Sequence, residues 1–392
     1  MKVEDLCPPP GHVQRLYCDV CDVHLELAYF DWEDDVSGVH IRIEGLPVLR
    51  CPPCGRDHLP DPSRLALIET HNRALAAKSP TANVKRRKRD EKFDFTILPF
   101  VYDPDDYFYI PGLYRQLDLG FFTPVFFNRE VLLKYDNSPN YRVHFASTTY
   151  GTIYSPEEIV SFGINRHGKL VMWLGDIAKM PEAEQFYLRS ENVPSDHAIG
   201  SEFYDAQIES KFTPISAENA LFQARSNFIE ACFEKFGSKV AHLDAEVVTL
   251  AIKLNAPLVD TEKERRHVAD TLNKIYVESF DNAELGKLMS AQGKEPGKLG
   301  GLKRIQGLLS SVAEPADVAY AMSPLYALYD LRVAYSHLTS AESAMKILTT
   351  VTTRLGVASN ADLATIYYEL VDQLTKAFEG LTALITSLEE ED

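Results

Sequence analysis

The sequence predicts a multidomain α+β chain with a small cysteine-knuckled β finger at its N-terminus, a central aromatic-rich α+β domain and a C-terminal all-α helical bundle. Three observations lead there. The chain has 392 residues, two to three times the usual single-domain size. Its first 60 residues hold two CxxC pairs. After Pro214 an aromatic, β-prone pattern gives way to apolar residues at three- and four-residue spacing, the period of a helix. The expected boundaries are 1–78 for the finger with a following helix, 79–92 for a basic linker, 93–214 for the central recognition or sensing domain and 215–392 for the bundle.

Cys18 pairs with Cys21 and Cys51 with Cys54, whereas Cys7 and Cys232 are scattered. Two knuckles, each presenting two thiolates from a tight turn, supply the four soft ligands of a tetrahedral zinc ion. Gly55 suits such a turn because glycine tolerates positive φ. Without a secretion signal, disulfides are the weaker reading. Four sulfur ligands leave no open coordination position, so the expected zinc is structural. It replaces a core that so short a segment cannot build. His12, His24 and His58 lie near enough in sequence to substitute for a ligand, though each is more often a surface residue.

The next segment, PDPSRLALIETHNRALAAK, carries a helical period with Pro62 in its first turn,. The basic run Lys85 to Arg89 then has no apolar residue to bury, so it reads as a tether or as a phosphate contact. In the central domain FDFTILPFVY, YRVHFASTTYGTIY, IVSFGINRHGKLVMWLGD and EFYDAQIESKFT are expected strands,. GINRHGKLVMW is a hairpin about Asn165 to Gly168, and PEAEQFYL is a short helix. The aromatics Tyr107, Phe108, Tyr109, Tyr114, Phe121, Phe122, Phe126 and Phe127 are core residues first and base-stacking candidates second. Asn128, Asn165, Arg166, His167 and Asp176 are recognition candidates only if the fold brings them together.

The stretch of about residues 15–78 resembles the zinc fingers of the YgiT type, the N-terminal module of MqsA-like antitoxins. The resemblance rests on the first CxxC, a β-rich spacer containing GVHIRIEGLPVLR, then CPPCG, and the helix after it. It implies contact with a protein partner. DNA is bound in that family by a separate helix-turn-helix, and no such motif follows here.

The C-terminal region reads as helices over roughly 216–236, 243–254, 260–279, 281–292, 299–312, 323–338, 340–355 and 360–388,. GKLGGLK is an interhelical loop, and the acidic tail Glu389 to Asp392 is a solvated end,. In AMSPLYALYDLRVAYSHLTS, Ser323 is the expected N-cap and Pro324 the first helical residue,. Arg332 and His337 follow on that helix, their directions about 140° apart, so that they border one groove. The spacing is similar to the RxxxxH motif of the HEPN superfamily, all-helical domains that often dimerise and act as metal-independent ribonucleases. The resemblance implies that His337 is a general acid or base at the ribose 2′-hydroxyl or leaving oxygen. It implies that Arg332 holds the scissile phosphate and that the bundle pairs with a second copy of itself. Active members usually carry a polar residue directly after the Arg, often Asn, Asp or His, where this chain has Val333. Asp330, Tyr335 and Ser336 are the nearby polar groups.

Forty basic against 57 acidic side chains give a net charge of -17, which argues against a whole-chain polyanion binder. No P-loop, dinucleotide fingerprint or nucleophile elbow is present in the sequence,. No apolar run is long enough to span a bilayer, and the N-terminus lacks a signal-peptide core, so the expected location is cytoplasmic. The resemblances together imply RNA cleavage in a bacterial toxin–antitoxin or anti-phage defence system, with a protein partner bound through the finger. The alternative is a catalytically inactive HEPN-like adaptor or antitoxin-like regulator, consistent with Val333.

Overall fold

The chain divides into two compact units, Met1–Pro214 and Ile215–Asp392. The structure is a computed structural model that describes residues 1–8, 11, 13–113, 118–338 and 340–386. His12, Tyr114 and the acidic tail lie outside the described residues. Mixed α+β architecture occupies the first unit and helices the second. No helix among the described residues is long and apolar enough to cross a membrane.

The first unit opens with a long hairpin, β1 (Glu26–Val36) and β2 (Val39–Arg50). Ser37 and Gly38 form its two-residue turn, both at positive φ, the backbone that matches strand twist. The register shifts between Phe30 and Trp32. At this bulge Gly45 takes φ +71 and its N–H donates to Asp31 Oδ1 at 2.9 Å,. Strand β3 (Asp57–His58) pairs with one end of β2, and helix α1 (Asp61–Ala76) follows. Trp32, Val36, Val39, Ile41, Ile43 and Leu46 pack with Leu67 and Ala74 of α1 as a small core.

The basic run is not a free tether. Thr81–Lys85 form β4, parallel to β2. Beyond it Arg86 and Arg89 both pair with Asp105, which is fully buried. Their guanidinium groups also lie over the rings of Tyr29 and Phe108, each at 4.2 Å. Composition alone hid this because the partner carboxylate lies well downstream in sequence.

The remainder of the unit contains α2 (Pro104–Phe108), β5 (Pro124–Phe127), α3 (Leu132–Asp136), β6 (Arg142–Phe145), β7 (Tyr150–Tyr154), β8 (Ile159–Ile164) and β9 (Leu170–Trp173). After them come α4 (Leu174–Ile177), α5 (Glu182–Glu191), β10 (Asn192–Val193) and α6 (Glu202–Gln207). The strands form one antiparallel sheet in the order β10-β5-β9-β8-β7-β6. The expected β8–β9 hairpin is present, closed by Gly168 N–H donating to the Asn165 carbonyl at 2.9 Å.

Two expected strands are absent. FDFTILPFVY is irregular because side chains take its backbone donors: Phe93 N–H donates to Tyr102 Oη at 2.8 Å and Ile97 N–H to Gln185 Oε1 at 3.0 Å,. The start of EFYDAQIESKFT is helix α6 instead. Ser201 caps it by accepting from Tyr204 N–H, and burial of Phe203 and Tyr204 overrides their β preference,.

The second unit packs α7 (Ala217–Phe236), α8 (Asp244–Lys253), α9 (Glu262–Asn273), α10 (Asn282–Ala291), α11 (Gly301–Leu309), α12 (Pro315–Ala321), α13 (Ser323–Ser336), α14 (Ala341–Leu355) and α15 (Leu363–Thr386). Helix α12 was not expected; it runs into α13 through Met322, which is itself helical. Helix α9 continues as a π turn over Lys274–Glu278. Helices α7 and α14 stop at Gly237 and Gly356 in the left-handed conformation, the usual glycine C-cap. Leu221, Phe228, Leu272, Tyr276, Leu328 and Phe378 are among its fully buried side chains.

The two kinds of cation in the basic run make the pairing testable. Removing both Arg86 and Arg89 strands the buried Asp105 carboxylate and should cost about 3–5 kcal/mol of unfolding free energy. Lys85 and Lys88 are 82% and 74% exposed, so their alanine variants should stay within about 0.5 kcal/mol of the parent. Urea unfolding of the two double variants checks this; equal effects would restore the tether.

Candidate functional site

The four paired cysteines converge. Cys18, Cys21, Cys51 and Cys54 present sulfur atoms that all lie within 4.8 Å of one another, close enough to hold a metal ion. Cys18 Sγ and Cys54 Sγ are 3.8 Å apart. The knuckles are built alike: Asp22 N–H donates to the Cys18 carbonyl at 3.0 Å and Gly55 N–H to that of Cys51 at 2.8 Å. Asp22 and Gly55, each directly after its CxxC, take φ of +50 and +70. Glycine does this freely, and aspartate better than most other side chains. Backbone N–H groups, first that of Val20, lower the Cys18 thiol, and the N–H of Arg56 leads in bringing Cys54 down to about 7. Both shifts favour the thiolate, the form that binds metal, whereas the neighbouring Cys54 pushes the Cys21 thiol up to about 12 and burial raises that of Cys51.

The histidines divide. His24 is committed to Asp205, with Nε2 at 3.0 Å from Oδ1, and is not part of the sulfur cluster. His58 stands beside Cys18 and Asp19, its hydrogen bond helping to lower the Cys18 thiol. Cys7 is exposed, and Cys232 is buried in the helical core, where burial pushes its thiol up.

Arg332 lies on α13 and is tied on two sides, Nε to Asp270 at 3.4 Å and Nη2 to Glu278 at 3.1 Å. Helix α13 ends at Ser336, so His337 is an exposed C-cap with extended backbone and does not continue the helical projection expected for it. Asp330 pairs with Arg354 at 2.8 Å, away from Arg332. Tyr335 faces the guanidinium of Arg265 at 5.9 Å. With Arg332 against Asp270 and Tyr335 against Arg265, α13 runs antiparallel to α9. A groove of about 530 Å3 beside α9 is lined by Lys263, Arg266, His267 and Lys274 together with the acidic Glu262, which pairs with Arg266 at 2.9 Å. Asp270 belongs to both that groove and the Arg332 pair.

Of the recognition candidates in the first unit, Arg166 and His167 converge, each 3.3 Å from Glu26 Oε1. Asn165 instead ties the hairpin to the following loop, its Nδ2 donating to Asp196 Oδ1 at 3.0 Å and to the Ala198 carbonyl at 2.9 Å. Asp176 pairs locally with Lys179, and Asn128 makes no side-chain cap. Within the described part of the aromatic run Tyr107, Tyr109, Phe126 and Phe127 are buried, and Phe108, Phe121 and Phe122 are half-buried.

Sequence reading missed a second buried carboxylate. Asp106 is 2% exposed and accepts from Ser195 Oγ at 2.6 Å, with His197 Nδ1 also at 2.6 Å. The clue was the acidic pair Asp105–Asp106 inside an aromatic stretch, too polar for a core unless paired. His197 sits in the left-handed region at φ +63. Its hydrogen bond to Asp106 raises its pKa, and Asp103 and Asp196 act in the same direction. Burial pushes Asp106 itself up, outweighing the pull of His197.

A histidine whose folded pKa is raised contributes stability below its unfolded value, about 6.5, and loses it as pH climbs through the folded value. His197→Asn keeps a residue that tolerates positive φ and removes the titration. As pH rises above about 6.5 the parent should lose stability relative to that variant in urea unfolding; parallel pH profiles would contradict the pairing.

No family model, curated protein or solved structure matches the chain.

Proposed function

We propose that the chain is an RNA-acting effector whose helical unit is of the HEPN type, joined to a zinc-stabilised recognition unit and working in a bacterial toxin–antitoxin or anti-phage defence system. The observation that carries this reading is the shared position of Asp270, which connects Arg332 to the groove lined by Lys263, Arg266, His267 and Lys274. A phosphodiester strand in that groove neutralises its cations and comes within reach of the Arg332 guanidinium. Arg332 then exchanges a carboxylate for the scissile phosphate, and the exposed His337 transfers the proton at the 2′-hydroxyl or the leaving oxygen. Two copies of the helical unit pair, as the resemblance implies, and the knuckled face contacts a protein partner.

Zinc is the ion that suits the four thiols. A Zn–S bond of about 2.3 Å gives a tetrahedral edge of about 3.8 Å, which agrees with the 3.8 Å between Cys18 and Cys54 sulfurs. With four sulfur ligands the ion closes the loop between the knuckles and has no part in the cleavage.

A second reading has its own support. Arg332 spends its charge on Asp270 and Glu278, and Val333 stands where active HEPN proteins usually carry a polar residue. On this reading the helical unit is a HEPN-like adaptor or antitoxin-like regulator that acts by binding.

Cleavage of mixed tRNA and mRNA in EDTA, with bound metal verified as retained, separates the two. The first reading expects cleavage by the parent and a loss of at least about 100-fold in Arg332→Ala and His337→Ala. It also expects faster cleavage when Asp270→Asn and Glu278→Gln free the guanidinium. His337→Ala cleaving as well as the parent would refute the mechanism, and an inactive parent that retains a stable protein partner would favour the second reading.

A further inference from the structure

Beside the sulfur cluster, segments distant in sequence enclose a cleft of about 230 Å3 whose lining includes Glu26, Pro52, Pro53, Ala198 and Gly200, with Arg166 of the β8–β9 turn at its rim. Pro52 and Pro53 are the residues between Cys51 and Cys54, so the knuckle itself forms one wall. Gly200, which also lines the cleft, admits no side chain, since a Cβ there would lie 2.3 Å from His24 Cβ and 2.4 Å from the first atom of its ring. The space corresponds to roughly seven or eight waters, enough for one ring system and too little for a drug-sized ligand.

The polar groups of the cleft restrict what that ring can be. Glu26 Oε1 is turned away from solvent and lacks a hydrogen bond, although Arg166 and His167 each approach it at 3.3 Å. The Glu26 side chain nonetheless remains 22% exposed and that of Arg166 51%. A carboxylate acceptor and a guanidinium donor therefore stand side by side in the cleft, and the rest of the lining is apolar apart from His24, whose Nε2 is committed to Asp205. A bare phosphate would meet the Glu26 charge, and a hydrocarbon would leave both polar groups without partners. A flat heteroaromatic ring with an acceptor and an N–H on neighbouring atoms satisfies both, and such an edge is what nucleobases carry.

We infer that this cleft binds a nucleobase, its faces against Pro52, Pro53 and Ala198 and its edge on Glu26 and Arg166. The choice of a base among flat heterocycles rests on the RNA reading of the helical unit. The same base chemistry is presented by a free nucleotide and by a residue of an RNA strand.

Calorimetric titration of the full-length, metal-loaded protein decides the matter. The probes are the four nucleoside 5′-monophosphates, ribose 5-phosphate and a non-cleavable 2′-O-methyl hexanucleotide. At least one monophosphate or the hexanucleotide should bind while ribose 5-phosphate does not. Glu26→Ala and Arg166→Ala should each weaken binding by about tenfold or more, with metal content and thermal unfolding unchanged; Arg166, at an exposed turn, guards against a folding artefact. Binding of the hexanucleotide alone assigns the site to a strand, and equal binding of a monophosphate assigns it to a free nucleotide. Absence of binding by every probe, or binding indifferent to both substitutions, would overturn the inference. Base binding that survives Arg332→Ala in a chain that cleaves nothing would keep the cleft and remove the ribonuclease, whereas cleavage without base binding would do the reverse.

Discussion

The structure of the first unit depends on where the two cysteine knuckles are anchored. Cys18 and Cys51 are buried in one apolar cluster with Leu16, Leu25 and Leu49 from the finger, and with Phe126, Trp173 and Phe203 around the six-stranded sheet. Trp173 and Phe203 stack with ring centroids 4.9 Å apart. Each such side chain contributes about 1.5–3 kcal/mol by leaving water. Those contributions require the knuckles to hold their shape. A loop closed by four sulfur ligands can provide that rigidity where a polar, proline-containing turn alone does not.

Charge adds to the same attachment. In a chain with net charge -17 two adjacent carboxylates, Asp105 and Asp106, are withdrawn from water. Burying them is tolerable only because Arg86, Arg89 and Tyr29 serve one and Ser195 and His197 the other,. Finger, basic run and sheet thus make one body, with the 230 Å3 cleft beside the second knuckle.

What could be read in the sequence follows the range of the interactions involved. The CxxC turns, the glycine after Cys54, the β8–β9 hairpin and most helices of the second unit are set by residues a few positions apart, and their patterns are visible one segment at a time. The role of Arg86 and Arg89 was not, because Asp105 lies 16 or more positions away. The helical start of EFYDAQIESKFT was hidden by its β-prone aromatics, since only burial of Phe203 and Tyr204 and the cap from Ser201 decide it. Arg332 and His337 were recognisable as a spaced pair, but the carboxylates of Asp270 and Glu278 come from elsewhere in the bundle. The cleft at Glu26 needs segments of the chain more than 100 residues apart, and no local pattern announces it.

The central claim is that the four-cysteine cluster organises the whole first unit and not the finger alone. Hydrogen exchange measured on the metal-loaded chain and again after chelation tests it most directly, because local protection reports which backbone bonds open together. The account predicts that protection falls in β5, β8 and β9 as well as in the knuckles, while α7, α13 and α15 of the second unit keep theirs. Exchange that rises only around Cys18 to Cys21 and Cys51 to Cys54, with the six-stranded sheet unaffected, would contradict it.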